Sequence, residues 1–440
     1  MKTTNIAALG LMTFSLFLGA GNLIFPPIIG YLAGDQTWQA GAGFILGDVG
    51  LTLLALIAVA LSGGPDKVVR DFSPATQKLF WVVLFIVIGP AFVIPRAVMV
   101  AYETGFMPFF PNTGDTVFHG YVVVYLAITL ALTLRPGQLV STIGKWMTPL
   151  LALMLTTIAV GTLINPQSAI EPARGVYESQ PVAEGLIQGY LTMDVLGALG
   201  FGWIITHAIK SLGVTSGRDI ARFTTMAGLI AAIGMILIYS ALFYLGATSH
   251  GLVPDASNGA RILSTYVAAL FGPAGNMVLT LVITLACLTT CIGVTGASAE
   301  YFSKTFTSFS YRQYVAAIAV ASALVATVGL DQLIVLTVPV IVTIYPVAIA
   351  VIIMPFIRRF LFYPTMVTRV VSATALLFAI PDGIKAAGFM PESINAFLTQ
   401  HLPMFEQGMG WVVPGMIMLV LSIAASQCFG WNRQSEEAAY

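Results

Sequence analysis

The chain has 440 residues, of which 58% are hydrophobic and only 9% are charged. Soluble domains carry roughly 25% charged residues, so this composition predicts an all-α integral membrane protein in one domain, residues 1–440. The formal net charge is zero, which excludes the basic surface that nucleic-acid binding requires. The three cysteines, Cys287, Cys291 and Cys428, give no disulfide framework.

Twelve segments are apolar and long enough to cross the hydrocarbon core, which takes about 20 residues. They lie at residues 6–30, 39–62, 78–106, 118–135, 143–164, 185–208, 222–246, 273–302, 313–329, 332–356, 367–384 and 409–429. Residues 258–272 are too few and too interrupted to span, and we expect them to form a surface helix between the seventh and eighth spans. Short polar loops join the spans, without a soluble domain.

The distribution of lysine and arginine predicts the orientation, because cytoplasmic loops carry an excess of both. With the N-terminus inside, 15 of the 19 basic residues fall in inner loops and tails. The outer loops hold Arg174, Arg261 and Lys385, and Arg96 lies within the third span. Both termini are therefore predicted to be cytoplasmic.

The stretch FLGAGNLIFPP, residues 17–27, places helix breakers inside the first span. Glycine costs about 1 kcal/mol in a helix interior and proline about 3. Such backbone persists at membrane depth only where protein or a cavity satisfies it. Half-helix N-termini can then bind a carboxylate, and freed carbonyls can bind a cation or an ammonium group. The alternative is a kinked span whose glycines permit close helix packing.

The sixth span is also rich in glycine, with Gly197, Gly200 and Gly202 at mid-depth. Interrupted spans at matching places in two halves point to a binding site between inverted repeats. A separation of five spans gives the opposite topology that inverted repeats need. We therefore predict one repeat over residues 6–164 and a second over 185–356, with two additional spans at 367–429.

Hydroxyl groups cluster in the eighth span at Thr289 and Thr290, followed by Thr295 and Ser298. Hydroxyls and carbonyls together can hold a monovalent cation. The alternative is that each threonine bonds back to the carbonyl four residues earlier.

Five charged residues fall within predicted spans: Asp48, Arg96, Glu103, Asp194 and Glu300. Placing a charged side chain within a membrane costs free energy, so each such residue is first interpreted as functional. We expect Arg96 to reach Asp194 or Glu300 on another span, either as a coupling group or as a structural ion pair. Asp48, Glu103 and Glu300 are expected to lie closer to a wetted interface.

Several motifs are absent from the sequence. There is no Walker A loop, no metal-ligand spacing of the H-E-x-x-H type and no G-x-S-x-G elbow. These absences argue against ATP hydrolysis, an intramembrane enzyme and a bound cofactor. A channel is also disfavoured, because none of the spans has a continuous polar lining.

Four stretches together resemble one family: GLMTFSLFLGAGNLIFPPIIG, GPAFVIPRAVMVAYETG, GYLTMDVLGALGFG and IPDGIKAAGF. They are similar to those of the bacterial branched-chain amino acid:cation symporters (BrnQ/LIVCS), in the amino acid–polyamine–organocation superfamily. The resemblance covers essentially the whole chain. It implies a leucine-transporter-like fold of five-plus-five inverted repeats and import of leucine, isoleucine and valine with sodium or another cation across the bacterial cytoplasmic membrane.

Two stretches also resemble the sodium-coupled neurotransmitter-type transporters, GAGN in the first span and Ala286–Ile292 in the eighth. That resemblance implies a sodium site formed by carbonyls of Ser15, Leu18 and Ala286 and hydroxyls of Thr289 and Thr290. It implies that the N–H groups of Ala20 and Gly21 meet the substrate carboxylate. The full set expected around the amino acid is Gly19, Ala20, Gly21, Phe201, Gly202, Thr290 and Val294.

The sequence therefore predicts a twelve-span secondary symporter for branched-chain amino acids, coupled most readily to sodium. Another neutral substrate, or protons in place of sodium, remains the alternative. In the proton-coupled case, Asp194 or Glu300 becomes the candidate for the coupling group.

Overall fold

The structure is a computed structural model that describes residues 3–110, 114–134 and 148–437. Its helices are α1 (Thr3–Phe17), α2 (Ala20–Ala33), α3 (Thr37–Ile45), α4 (Leu51–Ser62), α5 (Pro65–Val68), α6 (Pro74–Ile86), α7 (Val93–Ala101), α8 (Asp115–Thr133), α9 (Thr148–Ile164), α10 (Pro181–Tyr190), α11 (Asp194–Ser211), α12 (Gly217–Ala247), α13 (Gly259–Thr305), α14 (Tyr311–Ala326), α15 (Leu330–Ile357), α16 (Pro364–Ala386), α17 (Glu392–His401) and α18 (Val412–Glu437). Three π-helical segments, Leu46–Gly50, Val87–Ala91 and Tyr102–Phe106, continue α3, α6 and α7. The described residues contain no strand, so the predicted all-α class is confirmed.

Seven helical stretches among the described residues are long and apolar enough to cross a membrane. They are Ala20–Ser62, Pro74–Phe106, Asp115–Thr133, Gly217–Ala247, Gly259–Thr305, Leu330–Phe360 and Pro364–Ala386. A bent stretch between Pro181 and Ser211 makes an eighth. Four apolar helices are shorter, with 10–17 residues: Asn5–Phe17, Pro149–Ile164, Tyr311–Ala326 and Val412–Cys428. Residues 143–147, at the start of the predicted fifth span, lie outside the described ranges.

The first predicted span is interrupted at Leu18 and Gly19, between α1 and α2. Gly19 is extended, with φ −103° and ψ −168°. Its N–H group donates to the carbonyl of Phe17 at 2.7 Å and to the side-chain oxygen of Asn22 at 3.1 Å. Pro26 and Pro27, which the sequence suggested as breakers, lie inside α2. The first span is therefore interrupted at Gly19, whereas Pro26 and Pro27 are accommodated within α2.

The predicted sixth span is both interrupted and bent. The helical ladder is broken at residues 191–193, and a bend of 45° separates Pro181–Gly202 from Ile204–Ser211, at the last of the three glycines Gly197, Gly200 and Gly202. Met193 has φ 67°, a left-handed conformation that ends the local helical ladder. Gly202 also permits close helix packing: a methyl group added there would lie 2.6 Å from Cγ1 of Val59.

Three further features differ from or refine the predicted spans. The third span is distorted at Gly89, which has non-helical angles of φ −91° and ψ −114° just before Pro90. Helix α13 kinks at Gly272, with φ 64°, where the sequence predicted the boundary between the surface helix and the eighth span. The exposed helix α17 lies between the last two predicted spans and was not predicted.

Helices α3 and α10 approach through glycines four residues apart on each side. A methyl group would lie 2.1 Å from the carbonyl oxygen of Val182 if added at Gly43, and 2.0 Å from that of Ala40 if added at Gly185. Gly47 and Gly189 continue the same two faces. Small residues at this spacing let helix backbones touch in a membrane protein. These glycines therefore serve close packing of α3 against α10, which the sequence analysis did not predict.

The two interrupted helix pairs share a packing scheme. Helices α1 and α2 both pack along α12, while α10 packs on α3 and α11 packs on α4. Helix α13 runs beside α2 and α7. Each interrupted helix pair therefore packs against other helices of the bundle: α1 and α2 against α12, and α10 and α11 against α3 and α4.

We expect Gly185→Ala to destabilise the protein by about 1–3 kcal/mol, because the methyl group has no space beside Ala40. Thermal unfolding of the purified protein would measure the change. Gly120→Ala is the matched control, since a methyl group there meets nothing within 4 Å and alanine favours the helix. Equal melting temperatures for the two variants would contradict the close approach of α3 and α10.

Candidate functional site

Arg96 satisfies the backbone at the second interruption. Its Nη2 donates to the carbonyl of Thr192 at 2.8 Å, and its Nη1 donates to the carbonyl of Leu191. The side chain is 3% exposed, and its guanidinium carbon lies 5.4 Å from the ring centre of Phe25. Carbonyls freed by a break cost free energy when buried without a partner. The arginine therefore stabilises the non-helical conformation before α11.

Arg96 does not form the direct ion pair that the sequence suggested. The ion pairs among the described residues are Arg174–Glu171, Lys304–Glu300 and Arg358–Asp71. Glu300 therefore pairs with Lys304 on its own helix, at 2.6 Å and with a substantially exposed side chain. The backbone carbonyls take the place of the carboxylate as the partner of Arg96.

A buried network of side chains connects the two interruptions. The amide nitrogen of Asn22 donates to Oδ2 of Asp194 at 2.7 Å and to the hydroxyl of Tyr239 at 2.5 Å. Tyr239 donates to Oδ2 of Asp48 at 2.6 Å, and Thr192 donates to Oδ1 of Asp48 at 2.8 Å. The network ties α2, the π-helical segment after α3, the second interruption and α12 together.

The position of Asp48 corrects the sequence interpretation. Asp48 was expected near a wetted interface, yet it is 0% exposed and Asp194 is 8% exposed. The sequence identified both charges, but it did not identify Asn22, Thr192 or Tyr239 as their partners. The available signal was the presence of an amide and a phenol inside strongly apolar helices, where a polar group needs a partner.

The hydroxyls of the eighth predicted span converge on one carbonyl. Thr289 and Thr290 donate to the carbonyl of Ala286 at 2.7 Å and 3.2 Å. A methyl group added at Gly19 would lie 3.3 Å from Oγ1 of Thr290, so the first interruption faces this pair. Thr290 therefore makes the bond to the carbonyl four residues earlier that the alternative described, whereas Thr289 bonds to the carbonyl three residues earlier.

Three of the residues predicted for the cation, Ser15, Ala286 and Thr289, line a common cavity of about 10 Å³. That volume corresponds to roughly one water-sized particle. Leu18, the remaining predicted carbonyl donor, is fully buried at the break. The described residues contain no cluster of three His, Cys, Asp or Glu side chains suited to a metal ion.

The residues predicted around the substrate lie in different surroundings. Gly19 and Ala20 lie at the break, where the first N–H groups of α2 have no intrahelical acceptor. The space beside Gly21 is filled by Arg96, whose Nη2 would lie 2.8 Å from an added methyl group. Phe201 and Val294 are buried.

A larger cavity of about 590 Å³ is lined by Gly200 of α11 and Gly293 of α13, among others. None of the seven residues predicted around the substrate lines this cavity. Asp66, Glu300 and Lys304 also line it, so charged residues stand at one part of an otherwise apolar wall. A cavity of this size is within the range of small-molecule sites.

The family profile described as "Branched-chain amino acid transport protein" matches residues 2–429. The chain belongs to this family. The predicted resemblance is thereby confirmed, and so is the prediction that the chain is not an enzyme, because the members of the branched-chain amino acid transport family are transport proteins.

Curated relatives agree along the full length. The chain is 42% identical over 439 residues to the branched-chain amino acid transport system 2 carrier protein of Pseudomonas aeruginosa, covering 99% of both chains. It is 39% identical to the branched-chain amino acid permease BrnQ of Escherichia coli, over 100% of this chain and 99% of BrnQ. It is 38% identical to the permease BraB of Bacillus subtilis, over 98% and 97% of the two chains.

Solved transporters share the fold at low identity. The inward-facing structure of Mhp1, a nucleobase-cation-symport-1 family transporter, matches 98% of this chain and 91% of its own, with a TM-score of 0.57 and 16% identity. A manganese transporter of Eremococcus coleocola matches 97% and 96%, with a TM-score of 0.60 and 12% identity. A Na+-coupled sialic acid symporter matches 94% and 90%, with a TM-score of 0.57 and 13% identity.

We expect Arg96→Ala to destabilise this family member by about 3–5 kcal/mol, because two buried carbonyls lose charged donors. Reduced yield and a lower melting temperature in detergent would report the loss. Arg218→Ala, at an exposed arginine, is the control. A stable Arg96→Ala protein whose only defect is a raised transport constant would instead make Arg96 a substrate ligand.

Proposed function

We propose that this protein is a twelve-span secondary symporter that imports leucine, isoleucine and valine together with a monovalent cation, sodium, by alternating access. Membership of the branched-chain amino acid transport family and the names of its relatives support the substrate class. The observation that carries the coupling proposal is the approach of Gly19, at the first interruption, to Thr290 on α13.

Helix lengths support the twelve-span count. The stretch Ala20–Ser62 has 43 residues, about 65 Å of helix and enough for two crossings of about 30 Å. Gly34, with φ 47°, interrupts this stretch about a third of the way along, after α2. The shorter apolar helices α1, α9, α14 and α18 supply the remaining crossings or complete interrupted ones. Helices α1 and α2 pack on α12, and α10 and α11 pack on α3 and α4. This correspondence between the two halves supports two inverted repeats.

The excess of basic residues supports an orientation with both termini in the cytoplasm of a bacterial cell. The cavity of about 590 Å³, lined by Lys304, then opens toward the inside. The loop containing Arg174 is external in this arrangement. Labelling of Arg174→Cys from outside intact cells would support it, and labelling only after permeabilisation would refute it.

The amino acid is proposed to bind at the first interruption. The N–H groups of Ala20 and Gly21, at the start of α2, have no acceptor within the helix and suit its carboxylate, since helix N-termini attract anions. Phe201, Gly202, Thr290 and Val294 are proposed to surround its side chain. Apolar residues predominate there, which favours a branched aliphatic side chain over a charged one.

Competition for uptake of labelled leucine tests this substrate class. Unlabelled isoleucine and valine are expected to reduce uptake into proteoliposomes, while lysine and glutamate leave it unchanged, because Arg96, the charged side chain beside Gly21, is already engaged by two backbone carbonyls. Alanine or another small neutral amino acid serves as the comparison. Stronger inhibition by one of these than by isoleucine and valine would assign the site to another neutral substrate.

Sodium is proposed to bind between Ser15, Leu18, Ala286, Thr289 and Thr290. Carbonyl and hydroxyl oxygens without a carboxylate suit a monovalent cation. An ion held there would connect the first interruption to α13 and hold the broken helix in its substrate-binding geometry. By linkage, sodium and the amino acid must then raise each other's affinity by the same factor.

Thr289→Ala is expected to raise the sodium concentration for half-maximal leucine uptake several-fold, because one ligand oxygen is lost. Leucine affinity should recover at high sodium, since the substrate contacts remain. Thr280→Ala is the matched control: its hydroxyl donates to the carbonyl of Asn276 at 2.8 Å on the same helix, away from the break. An unchanged sodium dependence in Thr289→Ala would remove this site.

Proton coupling is the second candidate, favoured by the network around Asp48 and Asp194. Two buried carboxyl groups linked through Asn22 and Tyr239 can share a proton, because two adjacent negative charges are costly to bury. A proton taken up there would act on both interruptions at once.

Uptake driven separately by a sodium gradient and by a pH gradient distinguishes the two couplings. Sodium coupling predicts accumulation at equal pH on both sides. Proton coupling predicts accumulation without sodium, with Asp194→Asn abolishing it while leucine exchange continues. Glu300→Gln is the comparison, because Glu300 already pairs with Lys304.

A further inference from the structure

Asp71 organises a junction of three segments at the end of the bundle proposed to be cytoplasmic. It is 4% exposed and accepts hydrogen bonds from Arg358, from Thr365 at 2.9 Å and from Thr368 at 3.2 Å. Arg369 donates to its backbone carbonyl at 2.7 Å. The loop after α5 is thereby fastened to the end of α15 and the start of α16.

A cavity of about 400 Å³ lies beside this junction. Lys67, Arg70, Arg358 and Arg359 line it, and Asp71 is its one acidic lining residue. Asp71 is already engaged by Arg358 and the threonines. Lys67, Arg70 and Arg359 are exposed and form no ion pair with any described residue. This basic cavity therefore holds an excess of positive charge that the protein does not neutralise.

Other basic side chains at the same end are occupied differently. Lys304 pairs with Glu300 at 2.6 Å, and the ammonium of Lys78 lies 4.1 Å from the ring centre of Phe306. A general excess of cytoplasmic lysine and arginine follows from membrane topology alone. A concave site in which Lys67, Arg70 and Arg359 have no carboxylate partner among the described residues does not follow from topology, so it needs its own explanation.

Exposed apolar residues adjoin the basic cavity. Phe360 and Phe362 are 58% and 44% exposed, and Arg359 lies 4.5 Å from the ring centre of Phe360. A second cavity of about 550 Å³, lined by Phe362 and Met366, shares Pro364 with the basic cavity. Basic groups beside exposed aromatic rings are typical of the membrane interface.

We propose that the basic cavity binds the phosphodiester head group of an anionic phospholipid, with an acyl chain against Phe360, Phe362 and Met366. Positive charge between helices at the cytoplasmic face suits anionic head groups. A soluble anion such as inorganic phosphate would use the charge but not the adjoining apolar surface. The combination of both features favours the lipid.

Binding can be measured on the purified full-length protein by native mass spectrometry and by melting temperature. Dioleoyl-phosphatidylglycerol should remain bound and raise the melting temperature, whereas dioleoyl-phosphatidylcholine should not. Free glycerol 1-phosphate and inorganic phosphate at the same concentration should have little effect. Equal stabilisation by these soluble anions would overturn the lipid assignment and leave an anion site.

A triple variant, Lys67→Gln, Arg70→Gln and Arg359→Gln, tests the cavity itself. Phosphatidylglycerol affinity should fall by about fivefold for each charge removed. The matched control changes three exposed basic residues near the start of α12 and the end of α11: Lys210→Gln, Arg218→Gln and Arg222→Gln. Equal losses of phosphatidylglycerol affinity in both triple variants would show that net charge alone accounts for binding, and would refute a specific site. The lipid comparison on the unaltered protein decides the proposal even where a variant folds poorly.

Discussion

The structure depends on the requirement that every buried backbone group find a hydrogen-bond partner. Helices meet this requirement within themselves, so an interruption inside the bundle needs partners from elsewhere. At the second interruption Arg96 supplies them to the carbonyls of Leu191 and Thr192. At the first, Asn22 supplies an acceptor to Gly19. Both breaks are therefore held by named side chains, which makes them defined features of the fold.

The same residues connect the breaks to each other. Asn22, which caps the first break, also donates to Asp194 and Tyr239, and Thr192 at the second break donates to Asp48. A change of backbone conformation at one interruption would therefore alter hydrogen bonds that also reach the other. Beside this polar centre, glycines let α3 and α10 approach closely.

The candidate cation site and the carboxyl network occupy different sides of the first interruption. Thr289 and Thr290 approach it from α13 through the carbonyl of Ala286, whereas Asp194 reaches Asn22 from α11. Sodium at the hydroxyls and a proton at the carboxyls would stabilise the same broken helix by separate contacts. Identifying the coupled ion would therefore also identify which side of the first interruption binds it.

The sequence by itself determined the membrane class and the family, because composition and short motifs record these directly, and it drew attention to the glycines of the first span and to the hydroxyl pair of the eighth. Tertiary structure alone decided where the second break lies and what Arg96 contacts. Gly202 lies at the bend of the predicted sixth span and also allows close contact with Val59, and the sequence alone does not show that contact. The burial of Asp48 likewise depends on Tyr239 and Thr192, which lie far away in the chain. Partners of buried polar groups are set by how helices pack, and no local pattern specifies that.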